Sequence, residues 1–248
     1  MRNETSTAFG TSAVGHALEA ELDRARARGR SEPLVVDVGG GSGVWAVPFA
    51  LQGCMITVVE PNPNAIATLQ RRAEEVGVRD RITVVANDSD ALAEEVPPGS
   101  ADLVLAHGLL EVVDDPAATL AAVAATVSVE GAVSVLVANK YAAILHRALA
   151  GKFGEARELQ ASATGVLADD GDTVQRRFDV DGLRELHRSA GLDIVLLQGE
   201  AVVSDSAHDS ADVELAEFER AAAASPPLRD IASRLHVVAR RAAGSRGE

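Results

Sequence analysis

From Leu34 onward, short runs of β-branched and aliphatic residues alternate with stretches whose apolar positions recur every three or four residues. Leu34–Val38, Met55–Val59, Arg81–Val85, Asp102–Ala106 and Ala132–Val137 are too continuously apolar for a sheet with one wet face, so they read as strands covered on both sides. Helical patterns fall between them at Val44–Gln52, Asn64–Val76, Ser89–Glu95 and Pro116–Val127, the last with Asp115 as N-cap and Pro116 in its first turn. The order βαβαβαβαβ predicts an α/β fold with a parallel, doubly wound sheet. Beyond the fifth strand, Asn139–Ala150 and Val180–Ala190 are helical, while Gly151–Arg177 between them has no clear period. A long insertion at this place is expected to cap an active site. Asp193–Leu197 and Leu235–Ala239, separated by the helical pattern Ala211–Ala224, bring the expected strands to seven. Ahead of the sheet, Thr11–Arg28 predicts a helix whose Arg24, Arg26 and Arg28, with Arg30, gather at the C-terminal end, where the helix dipole favours cations; they read as a solvated face.

Composition narrows the chemistry. Hydrophobic residues make up 47% of the 248 positions but aromatics only 3%, so the core is expected to be built from many small aliphatic contacts. Cys54 is the one cysteine and has apolar neighbours, which rules out an intramolecular disulfide and a cysteine zinc cluster and points to a structural thiol. His16, His146, His187, His208 and His236 show no metal-ligand spacing, so no metal is expected. No apolar run approaches the ~20 residues that span a bilayer, and Met1–Gly10 lacks an apolar centre, so a cytoplasmic location and no membrane partner are expected. The net charge of −14 lies outside residues 140–188, where acids and bases balance. Such a chain repels phosphate backbones, and an anionic or neutral small molecule meets less resistance.

The chemistry-bearing positions fall at successive strand ends. Asp37-Val38-Gly39-Gly40-Gly41-Ser42-Gly43 follows the first strand and opens a helix, so backbone N–H groups can approach a nucleotide-like ligand. Val44 occupies the place of the third glycine in a dinucleotide fingerprint, which disfavours a nicotinamide cofactor, and no Tyr-x-x-x-Lys pair follows the fourth strand. Asp37 is placed to receive an ammonium group. Glu60, about twenty residues beyond the glycines and followed by Pro61, is where an acid reaches a ribose diol. After the third strand, Asp90, or alternatively Asp88, can accept from an adenine amino group, with Ser89 between them; either acid could instead cap the next helix.

This ensemble resembles a class I S-adenosylmethionine-dependent methyltransferase, with its seven-stranded Rossmann-like sheet, GxGxG loop and ribose-binding acid, over roughly residues 30–240. Four further stretches are similar to the tRNA 5-carboxymethoxyuridine methyltransferase family: Phe9–Ser12, Ala106–Pro116 with its His107-x-x-Leu110-Glu111, Asn139 through Gly151-Lys152-Phe153, and Leu235–Arg240. The resemblance implies one methyltransferase domain over residues 1–248, with a lid at about 140–190, S-adenosylmethionine as cofactor, and methylation of a wobble-uridine carboxylate in tRNA. It places His107 beside the methionine half of the cofactor and Ser89 with Asp90 in the adenine pocket, while Glu60 keeps the carboxylate of the family's usual aspartate. Leu18 stands where the family has a cofactor-binding arginine, and Glu155–Ser162 replaces a lysine-rich stretch. The methyl acceptor is therefore expected to be tRNA or an anionic small molecule. A carboxylate acceptor needs no general base; for an amine or hydroxyl acceptor His107 could serve as one, and its alternative role is a neutral wall of the cofactor site. Asn139, Lys140, Tyr141, Arg176 and Arg177, with Arg147, Lys152 and Arg157, are the candidate substrate residues, since arginines grip carboxylates and phosphates in bidentate fashion. A small-molecule O- or N-methyltransferase, a nicotinamide-dependent oxidoreductase and a cofactor-binding protein without catalysis are the competing classes.

Overall fold

Neither face of the five apolar runs can be left to water, and they pair side by side as parallel strands: β1 (Leu34–Val38), β2 (Met55–Val59), β3 (Ile82–Val85), β4 (Ala101–His107) and β5 (Val127–Ala138). β7 (Arg234–Arg241) enters antiparallel between β5 and β6 (Leu192–Glu200), giving the order β3-β2-β1-β4-β5-β7-β6. The computed structural model describes residues 12–167, 176–203 and 213–242. Phe9–Thr11, His208, part of the expected lid and the start of the expected helix Ala211–Ala224 lie outside them.

Alternation within the strands divides the core between two helical layers. Val133, Val135 and Val137 of β5 face Leu120 and Val123 of α5 (Pro116–Thr126) and Leu183 of α8 (Val180–Ser189). Ala132 and Leu136 face the opposite cluster, which holds Leu18 and Leu22 of α1 (Ala13–Ala27), Phe49 of α2 (Ala46–Leu51) and Leu69 of α3 (Pro63–Glu75). Full burial of side chains of this kind stabilises by roughly 1.5–3 kcal/mol each, so the aliphatic core needs few aromatics. The helix starts are capped as their sequences suggest: Ser12 Oγ accepts from Gly15 N, and Asp115 Oδ1 accepts from the N–H groups of Ala117 and Ala118.

Three elements differ from the sequence expectation. β5 begins at Val127, directly after α5, rather than at Ala132. The exposed Val129 and Glu130 interrupt its apolar pattern, and a register shift lies beside Gly131, where a Cβ would stand 2.8 Å from the carbonyl oxygen of Ala101. The helix expected at Ser89–Glu95 divides into a 3-10 turn at Ser89–Ala91 and the single turn α4 (Leu92–Glu95). The stretch without a period contains α7 (Phe153–Ala161), packed on α6 (Lys140–Leu149) and burying only Ala156 and Leu159. α9 (Val213–Ala224) packs against β6.

Arg24, Arg26, Arg28 and Arg30 are exposed, as a solvated face requires, and Arg26 and Arg30 reach neighbouring elements. Arg26 donates to the carbonyl of Gln52 at 2.7 Å and Arg30 pairs with Asp102 at 3.2 Å, while Arg240 on β7 holds Glu21 of α1 through two contacts of 2.9 and 2.7 Å. No helix among the described residues is long and apolar enough to cross a membrane. The buried Cys54 thiol is pushed up to about 11 by burial, as befits an unreactive structural group.

Candidate active site

In this strand order the chain reverses direction between β1 and β4, and the loops leaving those two strands part to form a crevice at their carboxyl ends. Two lobes meet there, both lined by Gly39 and Gly108. The larger, of about 600 Å³, is bounded by Asp37 and the glycine loop, by Trp45 and His107, and by α6 and the start of β7. The smaller, of about 310 Å³, is lined by Glu60, Pro61, Asp88, Ser89 and Asp90.

Gly39, Gly41 and Gly43 all have positive φ, which opens the turn from β1 and brings its backbone to the crevice. At Gly43 a Cβ would also overlap the Leu69 side chain, so this glycine lets α3 close on the loop. A Cβ at Gly40 would stand 2.7 Å from Asp37 Oδ2. Asp37 itself is 2% exposed, and its Oδ2 has no hydrogen-bond partner among the described residues. Burial, and secondarily the nearby Glu60 charge, raise its carboxyl to about 7. Glu60 is also buried. One of its oxygens accepts from Gly41 N and the other from Asn62 N, both at 2.9 Å, which locks the carboxylate between the two loops and leaves each oxygen a further acceptor site. Ser89 Oγ donates to Asp88 Oδ1 at 3.0 Å.

On the other side, His107 ends β4 and touches the Trp45 ring edge-to-face at a centroid separation of 5.1 Å. Its Nε2 lies 2.8 Å from Ser134 Oγ, and its Nδ1 is buried with no hydrogen-bond partner among the described residues. Burial, reinforced by the proximity of His236 and Arg234, holds its pKa well below the ordinary value of 6.5, so the ring is neutral near pH 7.

The candidate residues therefore separate by position. Asp37, Gly39, Gly40, Gly41 and His107 line the larger lobe, and Glu60, Pro61, Asp88, Ser89 and Asp90 line the smaller. Of the candidate substrate residues, Asn139, Arg147 and Arg177 line the larger lobe, and Arg147 pairs there with Glu155 at 3.1 Å. Asn139 spends its amide on the carbonyls of Asp230 and Ala232, so it holds the β7 approach in place. Lys140 turns away to the carbonyl of Ser162 at 2.6 Å, Tyr141 lies outside the lining with half its surface in water, and Arg176 donates to the carbonyl of Val113 at 2.8 Å. Trp45, Glu111, His146 and Arg234 also line the lobe but were not marked as site residues by the sequence. Arg234 comes from β7, far along the chain, and no local pattern flags it. Leu18 is fully buried in the core. No group of three His, Cys, Asp or Glu side chains among the described residues is placed to hold a metal.

Comparison with known proteins agrees with this architecture. The methyltransferase domain family matches residues 11–197. The tRNA 5-carboxymethoxyuridine methyltransferase of Escherichia coli K12 is 28% identical over 134 residues, 54% of this chain and 51% of that protein. The ubiquinone biosynthesis O-methyltransferase of Paracidovorax citrulli is 34% identical over 165 residues, 66% of this chain and 65% of that protein. The chain thus spans about half to two-thirds of the length of the curated relatives it matches. Among solved structures, the magnesium protoporphyrin IX methyltransferase of Synechocystis PCC 6803 with bound SAH superposes with a TM-score of 0.60 at 15% identity, covering 92% of this chain and 83% of that one. With the family matched over three-quarters of its residues and the same fold around a crevice at the strand reversal, this chain belongs to the methyltransferase domain family.

Proposed function

We propose that the crevice binds S-adenosylmethionine and that the chain transfers its methyl group to an acceptor bearing an anionic oxygen. The observation that carries this reading is Asp37: a carboxylate buried without a partner at the mouth of a glycine turn is costly unless a cation completes it, and the ammonium of the cofactor's methionine part is such a cation. The fit extends along the crevice. Glu60 offers two pre-aligned oxygens for a ribose diol, and the lobe of Asp88, Ser89 and Asp90 offers acceptors for an adenine amino group. When bound, the cofactor would supply a methyl group activated on a sulfonium, passed in line to the acceptor oxygen as the S–CH3 bond breaks and the thioether leaves as S-adenosylhomocysteine. The remaining work of the chain is alignment. Arg147, Arg177 and Arg234 line the same lobe as His107; Arg147 is already paired with Glu155, and a group of guanidinium ions in a chain of net charge −14 suits a carboxylate or an acidic hydroxyl.

A second acceptor, the carboxylate of 5-carboxymethoxyuridine in tRNA, is favoured by the similarity to the Escherichia coli enzyme. The test is calorimetric titration with S-adenosylmethionine, followed by methyl-label transfer to bulk tRNA and, separately, to a small-metabolite extract. Wild type is expected to bind and to label the metabolite fraction, while Glu60→Ala weakens cofactor binding at least tenfold. Label in tRNA that is lost in mild base would establish the second acceptor, and absence of cofactor binding would overturn the proposal.

A further inference from the structure

Four polar side chains from four adjacent strands form a continuous chain across the sheet. Gln198 on β6 and His236 on β7 are register partners, as are His236 and Leu136 of β5, and Leu136 and His107 of β4. The residues in that row share one face, and Ser134, two positions from Leu136, shares it too. Gln198 Nε2 lies 2.9 Å from His236 Nδ1, His236 Nε2 lies 2.8 Å from Ser134 Oγ, and Ser134 Oγ lies 2.8 Å from His107 Nε2. Ser134 and His236 are fully buried and Gln198 nearly so. A buried polar row of this kind costs desolvation, and α1 and α2 cover the same face with aliphatic side chains that could have extended into it.

The direction of the chain follows from its far end. The Gln198 amide is placed with its nitrogen, a donor, toward His236, and in that orientation His236 Nδ1 accepts and the ring proton sits on Nε2. That Nε2–H donates to Ser134 Oγ, whose own O–H is then free to donate to His107 Nε2. His107 is left with its proton on Nδ1, the ring nitrogen that has no partner, in a residue that lines the larger lobe. The geometry points to Gln198, His236 and Ser134 as positioning residues that hold His107 in the Nδ1–H tautomer with its Nε2 engaged by Ser134, so that neither ring nitrogen is free to remove a proton from the methyl acceptor. This inference rests on the methyl-transfer reading and deepens it. An enzyme whose crevice histidine is fixed in this way takes acceptors that arrive deprotonated, such as carboxylates, and cannot use that histidine as the base for a neutral alcohol. Both buried histidines are kept neutral by desolvation, as the hydrogen-bonding pattern requires.

Histidine ¹⁵N spectra of the ligand-free protein test it, with the His107 signals assigned by their loss in His107→Asn. Wild type is expected to show a one-bond proton coupling at His107 Nδ1 and a bare Nε2. Ser134→Ala and Gln198→Met, which cut the chain at different points, are each expected to populate the Nε2–H form while leaving S-adenosylmethionine affinity unchanged. Because Gln198 stands near the sheet edge, its variant remains informative if Ser134→Ala fails to fold. A wild-type proton on Nε2, or a His107 tautomer that neither variant moves, would overturn the inference. The spectra need no ligand, so they are read independently of any failure to bind S-adenosylmethionine, which would count against the methyl-transfer reading alone.

Discussion

Asp37 sets affinity against stability. Its carboxyl rises from an ordinary 3.8 to about 7 on folding, so between those values the folded chain holds a proton that the unfolded chain has released. Stability contributed at low pH is therefore lost as pH climbs from about 4 to about 7, by about 4 kcal/mol in all, and is level above that. Asp37→Asn carries no charge at any pH. We expect it to raise Tm at pH 8 by about 8–16 °C, to leave Tm at pH 4 nearly unchanged, and to weaken S-adenosylmethionine binding at least tenfold. Thermal scans and titrations at the two pH values check this, and an equal Tm change at both would contradict the assignment. Asp37 was legible in the sequence because it abuts the glycines. Its lack of a partner was not, since that depends on β2 and β4 closing around it.

Besides its apolar face in the core, α1 is attached to the sheet by an ion pair. Arg240 and Glu21 meet through two short contacts with Glu21 only 9% exposed, so removing either strands a partly buried charge. Each single alanine variant is expected to lose about 2 kcal/mol, and the double variant less than the sum, as a denaturation double-mutant cycle would reveal. Additive losses would mean the contact is incidental. The elements most easily read from the sequence are those whose surroundings constrain them most: β1, β2 and β4 are mainly aliphatic because both faces are covered, and α5 announces itself with Asp115-Pro116. β5 was read short because its first residues are partly wet, and α7 was missed because two buried side chains make no period. The same limit applies to the site. Glu60, Pro61 and Ser89 sit beside recognisable strand ends, whereas Arg234 and the row from Gln198 to His107 come together only through register between distant segments.

At the scale of the whole molecule, the excess of acidic groups discriminates between acceptors. A polyanion neutralised at six to ten phosphates loses about 10³–10⁵ in affinity between 50 and 200 mM salt, while a small carboxylate held by a few arginines in a cleft responds weakly. For a small acceptor, KM is expected to change less than about threefold over that range, as initial rates at the two salt concentrations would show; a steep rise would point to a nucleic-acid substrate. The placement of β7 bears on how the molecule is made. β7 is the last of the seven strands to leave the ribosome, yet it lies inside the sheet, between two strands already synthesised. Until Arg234–Arg241 emerges, β6 has no partner through which to reach β5, and His107 lacks the chain that orients it. In order of synthesis the residues of the smaller lobe, which end at Asp114, therefore precede those that close the larger one, of which Arg234 is the last.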